Sequence, residues 1–178
     1  DVEKLLSPEI RKHFKSVNFD LLYGLPRQTR ESFRKTIETV IRLSPDRIGL
    51  ALMGYRPDLF KHQRLMKSEE LPDFYESAMI YLEAFKSLTE NGYVHIGIDH
   101  FVKPNEDLAI AKKNKKLHRN AMAYTSGITK DVIGIGPWAM GRIANHYIQN
   151  IMVIKKYFQL LDENKFPVFR GYILNKDD

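Results

Sequence analysis

An aspartate within an apolar segment is the first residue whose position suggests chemistry. Asp20 lies in VNFDLLYGLPRQT, residues 17–29, where Gly24 and Pro26 follow the apolar run at once. A carboxylate is costly to bury without a partner. Asp20 therefore either satisfies neighbouring backbone donors or faces a cleft and binds a ligand, and its position in the sequence leaves both interpretations open.

His95, Asp99 and His100 form a second group of candidate ligands, within YVHIGIDHFV at residues 93–102. If this segment is one alternating strand, His95 and Asp99 share a face and His100 points the other way. A metal site needs ligands that converge on one point. We therefore favour a hydrogen-bonded carboxylate–histidine cluster over a metal site, and no metal ligand is predicted.

Two further segments have compositions that could bind an anion. GIGPWAMG, residues 134–141, lacks the lysine of a phosphate-binding loop, so Gly134 and Gly136 either permit a backbone turn or let a ligand approach closely. The basic run KKNKKLHR, residues 112–119, is interpreted as the solvated end of a helix, where lysines complement the helix dipole. It contains no aromatic residue, so we expect no single-stranded nucleic-acid partner.

The hydrophobic pattern around Asp20 predicts a strand–helix–strand unit. A strand at residues 16–24 places Phe19 and Leu21 opposite Asp20, a helix capped by Thr29 follows, and RIGLALMGY at residues 47–55 predicts a second strand buried on both faces. Parallel strands joined in this way bind ligands at their carboxyl ends. The unit therefore favours the ligand interpretation of Asp20.

The rest of the chain predicts a mixture of helices and strands. A helix is predicted over residues 72–90, with an apolar stripe of Tyr75, Ala78, Met79, Leu82, Phe85 and Leu88. Shorter helices are predicted from Asn105 and over residues 151–163, and a last strand over residues 166–174. The change in composition near residues 56–71 indicates a boundary between an α/β part and an α+β part.

Bulk composition is that of a globular protein. The 178 residues are 43% hydrophobic and 28% charged, with a net charge of +6. No apolar run is long enough to span a membrane, and the absence of cysteine excludes disulfides and thiolate metal ligands within this sequence. We expect a cytoplasmic location. The ends at Asp1 and Asp178 suggest a piece of a longer protein.

Four segments together resemble one enzyme family: NFDLLYGLPRQTRESFRKTI, PDRIGLALM, GIDHFVKPNEDLAIA and LHRN. They are similar to the oxygen-independent coproporphyrinogen III oxidases, also called coproporphyrinogen dehydrogenases, which are radical S-adenosylmethionine (SAM) enzymes of haem biosynthesis. For residues 1–60 the resemblance implies the last strands of an incomplete β/α (TIM-like) barrel. For residues 61–178 it implies a truncated, family-specific α+β region.

The resemblance also implies a reaction, the oxidative decarboxylation of two propionates of coproporphyrinogen III to vinyl groups, giving protoporphyrinogen IX. It implies SAM and a 4Fe–4S cluster as cofactors of the parent enzyme, an electron-donor protein, a monomeric state, and neither nucleic acid nor membrane as a partner. By matching positions, Asp20 binds the SAM ribose, Gly54 supplies a backbone contact and Met140 an apolar contact. No catalytic residue is assigned.

Several positions depart from the family pattern. The family binds its cluster through a C-x₃-C-x₂-C motif, whereas this chain contains no cysteine. Ala121–Ala123 stand where the family usually has Phe, Gln and Gly, and Trp138 stands where a serine is usual. We therefore expect the chain alone to be inactive. The alternative is a non-catalytic porphyrin- or haem-binding module derived from this family.

Overall fold

The structure is a computed structural model, and it describes residues 2–120, 123–127 and 131–177. The chain divides into two compact units, Asp1–Lys113 and Asn114–Asp178. This division falls well beyond the predicted boundary after residue 60, because two later strands join the sheet of the first unit. The assignment of residues 1–60 to a catalytic barrel and of 61–178 to a family-specific region stays a prediction.

The first unit is a mixed α/β layer structure. Its elements are α1 (Val2–Leu5), α2 (Pro8–Arg11), β1 (Asn18–Tyr23), α3 (Arg30–Leu43), β2 (Arg47–Leu52), 3₁₀ turns at Lys61–Leu65 and Ser68–Glu70, α4 (Phe74–Glu90), β3 (Val94–Gly97), β4 (His100–Val102) and α5 (Asp107–Lys113). The sheet order is β1-β2-β4-β3. The β1–β2 pair is parallel and the other pairs are antiparallel. The predicted α/β class and the β1–α3–β2 unit are confirmed.

Local sequence signals define helix α3. Thr29 and Ser32 form a reciprocal capping box at its start, and Ser44 ends it in the left-handed conformation. The helix buries Phe33, Ile37 and Val40, spaced four and three residues apart on one face. They pack in one core cluster with strands β1, β2 and β4 and helix α4.

The predicted apolar stripe of α4 was only partly correct. Leu88 of the stripe is buried and Phe85 packs against the core cluster, whereas Tyr75 and Leu82 are exposed. The other buried residues of the helix are Ser77, Ile80 and Ala84. The helix carries apolar residues around most of its circumference, so periodicity did not identify one face. Contacts with α3 and the sheet determine the buried face, since Ile80, Ala84 and Leu88 belong to the core cluster.

The prediction of a single strand over residues 93–102 was wrong. The segment folds as the β3–β4 hairpin, which turns at Ile98 with φ of 30°. The turn docks on the neighbouring strand, because the Leu50 amide donates to the Asp99 carbonyl over 2.7 Å. Strand β2 also differs from its prediction, since its last two residues, Ala51 and Leu52, are exposed.

The described residues of the second unit form two small antiparallel sheets and one amphipathic helix. Its elements are β5 (His118–Arg119), β6 (Tyr124–Thr125), β7 (Met140–Ile143), β8 (His146–Asn150), α6 (Ile154–Asp162) and β9 (Val168–Ile173). Strands β7, β8 and β9 form a meander. The helix and the last strand were predicted, but strand β8 was missed. In the part of the chain that the structure describes, no helix has the length and hydrophobicity needed to cross a bilayer.

Candidate functional site

Asp20 lies at the middle of β1, on the face opposite the core. Phe19 and Leu21 pack against the core cluster, while Asp20 is exposed. Its Oδ1 accepts a hydrogen bond of 2.8 Å from Asn18 Nδ2, and within the described ranges no partner occupies its Oδ2. Asp20 also lines a cavity of about 870 Å³ bordered by β1 and α3. The carboxylate is therefore held in place and keeps an oxygen for a ligand.

Gly49 makes room for the Asp20 carboxylate. The two residues are partners in the β1–β2 register, and a Cβ atom added to Gly49 would lie 2.8 Å from Asp20 Oδ1. Any side chain at position 49 would displace the carboxylate. Sequence reasoning missed this residue, although a glycine inside an apolar strand is a signal of close approach.

The loop after β1, GLPRQT, is organised by its own polar groups. Gly24 adopts φ of 79°, and its amide donates to Gln28 Oε1 over 2.7 Å. The Arg27 amide donates to the Glu70 carbonyl over 2.7 Å, and the two side chains form an ion pair. These contacts fix the loop at the carboxyl end of β1, where parallel strands usually present ligand-binding groups.

Gly54 lies in the turn that follows β2, at the same end of the sheet as the loop after β1. Its carbonyl accepts a hydrogen bond of 2.9 Å from the Nε2 of Gln63, a buried side chain whose Oε1 also accepts from the Arg56 amide. Apart from Gly54 itself and its chain neighbours, no described residue has a heavy atom within 4 Å of a Cβ built on Gly54. The turn is therefore rigid and open, and Gln63 is a supporting residue that sequence reasoning missed.

Met140 begins β7 and belongs to the second unit. It lines a cavity of about 680 Å³, here called the β7–β9 cavity, together with Arg119, Asn120, Tyr147, Ile148, Gln149, Arg170, Gly171 and Tyr172. Gly134 lies directly against this strand, because a Cβ at position 134 would be 2.7 Å from the Met140 carbonyl oxygen. Gly136 adopts φ of 106°, a backbone conformation that glycine tolerates best, so this glycine permits the backbone turn.

The β3–β4 hairpin places the three candidate ligands in two environments. His100 Nδ1 and Asp99 Oδ1 are 2.6 Å apart. The His95 ring instead packs between Phe85 and Phe101, at centroid distances of 5.0 and 4.9 Å. Burial is the main cause that lowers the His95 pKa, and Lys112 adds to it. Within the described residues, no group of three or more acidic or histidine side chains converges as a metal site would require.

The basic run spans two structural settings. Lys112 and Lys113 end helix α5, as predicted for lysines at a helix carboxyl end, and Lys112 donates to the His95 carbonyl. Arg119 lies in β5, with its guanidinium 5.6 Å from the Tyr124 ring centroid. The run is therefore not one continuous solvated helix end.

No family model matches the chain. Oxygen-independent coproporphyrinogen III oxidase of Salmonella typhimurium is 41% identical over 165 residues, which cover 93% of this chain and 36% of the relative. The enzyme of the same name from Escherichia coli is 40% identical, with the same coverage of both chains. A solved structure of coproporphyrinogen III oxidase from Escherichia coli, a radical SAM enzyme, matches 99% of this chain with a TM-score of 0.91 and 38% identity.

The chain is homologous to part of the oxygen-independent coproporphyrinogen III oxidases. The chain spans 36% of the length of these relatives and 41% of the solved structure. The resemblance stated from the sequence is thereby confirmed, and so is the mixed α/β fold, which matches the Escherichia coli oxidase.

The substituted positions Ala121–Ala123 and Trp138 belong to the second unit. Ala121 and Met122 lie outside the described residues, while the Ala123 amide donates to Asn120 Oδ1 over 3.0 Å. Trp138 adopts φ of 65° and is 53% exposed. A bulky residue with positive φ is a conformational outlier, so the chain after Gly136 turns sharply to reach β7.

The residues present fit only one of the two cofactors of a radical SAM oxidase. A 4Fe–4S cluster is held by cysteine thiolates, and the chain contains none, so its residues do not fit the cluster. SAM carries a ribose diol, and a carboxylate suits two vicinal hydroxyls. Asp20, with one oxygen held by Asn18 and the other open, fits that role.

Proposed function

We propose that this chain is the SAM-contacting part of an oxygen-independent coproporphyrinogen III oxidase. The observation that carries the proposal is the Asp20 carboxylate, which projects from the face of β1 opposite the core, beside a glycine that leaves it space. The substrate of the whole enzyme would be coproporphyrinogen III, and the reaction an oxidative decarboxylation of two propionates. When bound, SAM supplies the radical chemistry.

The residues of this chain would bind and orient SAM, and they would not themselves form or break bonds in the reaction. Asp20 would accept hydrogen bonds from the ribose hydroxyls, as acidic residues do in nucleotide sites. Gly54 would offer backbone in a turn that Gln63 keeps rigid. Met140 would supply an apolar surface. Cluster ligands would come from residues outside this sequence, since it contains no cysteine.

Asp20→Asn in the full-length protein tests this assignment. Asn keeps the size of the side chain but removes its charge and one acceptor oxygen. A charged hydrogen bond is worth about 1.5–3 kcal/mol, so we expect SAM affinity to fall roughly 10- to 100-fold with an unchanged melting temperature. Asn18→Ala is the matched control, because it removes the partner on the same strand but not the carboxylate. Unchanged SAM affinity with a lowered melting temperature would show that Asp20 is structural.

A second candidate is a porphyrin- or haem-binding module without radical chemistry. The departures from the family pattern at Ala121–Ala123 and Trp138 are the observation that favours it. Anaerobic reconstitution with iron and sulfide separates the candidates: we expect no 4Fe–4S absorbance from the chain alone, and a cluster in the full-length oxidase. Stoichiometric cluster formation by this chain would contradict the thiolate requirement. An electron-donor partner, a monomeric parent enzyme and a cytoplasmic location remain parts of the proposal.

A further inference from the structure

We propose that the β7–β9 cavity is a carboxylate-binding site, in which Arg119 and Arg170 pair with carboxylates carried by an apolar organic ligand. The resemblance assigned only Met140 within this cavity, and to a different role. The proposal rests on the proposed function for its choice of ligand, because the four carboxylates of coproporphyrinogen supply the anions. The site itself is inferred from the arrangement of side chains.

The sheet register brings the polar groups of the cavity into one row. Met140 pairs with Gln149, and Gln149 pairs with Arg170, so these three side chains project from the same face of adjacent strands. Arg170 Nε donates to Gln149 Oε1 over 2.8 Å. This contact uses one donor of the guanidinium and orients the remaining N–H groups, which form a planar fork suited to a carboxylate.

The two arginines differ in pairing from those of the first unit. There, Arg11, Arg27, Arg30 and Arg47 each form an ion pair with an acidic side chain. Within the ranges the structure describes, Arg119 and Arg170 form no ion pair. Arg119 lies over the Tyr124 ring, and Arg170 contacts the Phe169 ring and the Gln149 amide. A guanidinium is planar and charged in itself, and a ring against its face leaves its edge available for hydrogen bonds.

The remaining wall of the cavity suits an apolar body rather than a small inorganic anion. Met140, Tyr147 and Tyr172 line it alongside the polar groups. A volume of about 680 Å³ is in the range of pockets for organic ligands. Two cationic forks beside an apolar wall match an amphiphile with more than one carboxylate, whereas phosphate alone would leave that wall uncovered.

The test measures binding of coproporphyrin III, the stable oxidised form of the proposed substrate, by fluorescence titration of the purified chain. Its tetramethyl ester, which has the same ring and no carboxylates, is the matched ligand. We expect the acid to bind at least 10-fold more tightly than the ester. Arg119→Gln and Arg170→Gln should each weaken binding of the acid roughly 10- to 100-fold and leave binding of the ester unchanged.

Arg142→Gln is the control variant. Arg142 lies on β7 and stacks on Tyr147, but its Nε donates to the Ala144 carbonyl and it does not line the cavity. The same loss of charge there should change affinity less than threefold. Arg119→Lys and Arg170→Lys cover the case in which a glutamine variant unfolds, because each keeps the charge and loses the fork, and each should also weaken binding of the acid.

Each outcome decides the proposal. Equal binding of acid and ester, or unchanged affinity in both arginine variants, overturns it. Arginine-dependent binding of inorganic phosphate that is tighter than binding of the porphyrin acid also overturns it, because the site would then be one for phosphate. Arginine-dependent binding of the acid supports it even where the full-length protein fails to convert coproporphyrinogen, and that second result would count against the proposed function alone.

Discussion

The two compact units are stabilised in different ways. The core cluster of the first unit includes Phe33, Ile37, Ile80, Leu88 and Phe101, all almost inaccessible to solvent. In the second unit, Tyr157 is the only large apolar side chain that is buried among the residues described. Every residue of β9 is exposed. The first unit is therefore built around apolar packing, and the second around strand pairing and a few polar contacts.

This difference shows which faces of the two units can carry charged functional side chains without disturbing the packing. In the first unit the core occupies one face of the sheet, and Asp20 projects from the other. In the second unit both faces of the meander remain accessible enough to carry charged groups such as Arg119 and Arg170 beside a cavity. Changes at apolar positions should therefore affect the two units very differently.

Phe101→Ala should have the largest effect on stability. Phe101 is fully buried between Phe85 and His95. Removing such a ring costs about 3–5 kcal/mol, and we expect amide hydrogen exchange to accelerate across the peptides of the first unit.

Phe166→Ala is the contrasting change in the second unit, where the ring is 91% exposed. It should alter the free energy of unfolding by less than about 0.5 kcal/mol. Equal effects of the two substitutions would contradict the comparison.

The first unit was also the more predictable from sequence. The capping box at Thr29, the buried face of α3 and the alternation of β1 are local signals that the structure retains. The hairpin at residues 93–102 was missed because Ile98, a β-branched residue, adopts a positive φ of 30° at its turn, and because the turn docks against Leu50. In α4 the apolar surface was too wide for periodicity to select a face.

The candidate site was only partly predictable. The placement of Asp20 on the face opposite Phe19 and Leu21 followed from strand alternation, but the supporting Gly49 and Gln63 act through contacts with residues distant in sequence. The β7–β9 cavity could not be anticipated, because strand β8 was missed, and the row of Met140, Gln149 and Arg170 exists only through its pairing. The register of β7 with β8 depends on the two-residue turn at Ala144 and Asn145, which the sequence pattern did not reveal.

Asn150→Ala tests how much polar contacts contribute to the stability of the second unit. The buried Asn150 Nδ2 donates to the carbonyls of Gly134 and Gly136, over 3.1 and 3.0 Å. Without it, both carbonyls lose a donor, at a cost of about 1–3 kcal/mol. We expect faster hydrogen exchange in the second unit alone.

Asn145→Ala is the control for this substitution. Asn145 is exposed in the β7–β8 turn, and its Nδ2 donates a long hydrogen bond of 3.4 Å to the Leu174 carbonyl. Its replacement should change exchange little. If the two alanine variants exchange at the same rate, polar contacts at Asn150 do not organise the second unit.

His95 places a polar imidazole within the apolar packing of the first unit. Its Nε2 is buried and finds no hydrogen-bond partner in the described part of the chain. Burial and the nearby Lys112 lower its pKa below the usual value of 6.5, and Asp99 opposes the shift only in part. Protonation of this ring is therefore less favourable in the folded state than in the unfolded state.

The smallest predicted effect is a pH dependence that belongs to the first unit. Because the folded-state pKa of His95 is lowered, its contribution to stability is present above pH 6.5 and is lost as pH falls through the folded-state pKa. Between pH 8 and pH 5, the free energy of unfolding of the first unit should therefore decrease.

His95→Phe keeps an aromatic ring between Phe85 and Phe101 and removes the titrating group, so the decrease should be smaller in this variant. His146→Gln, at an exposed position in the second unit, controls for the loss of one histidine. Identical pH slopes in the wild type and His95→Phe would show that the buried nitrogen is solvated when it titrates, and that the core of the first unit is less dry than its packing implies.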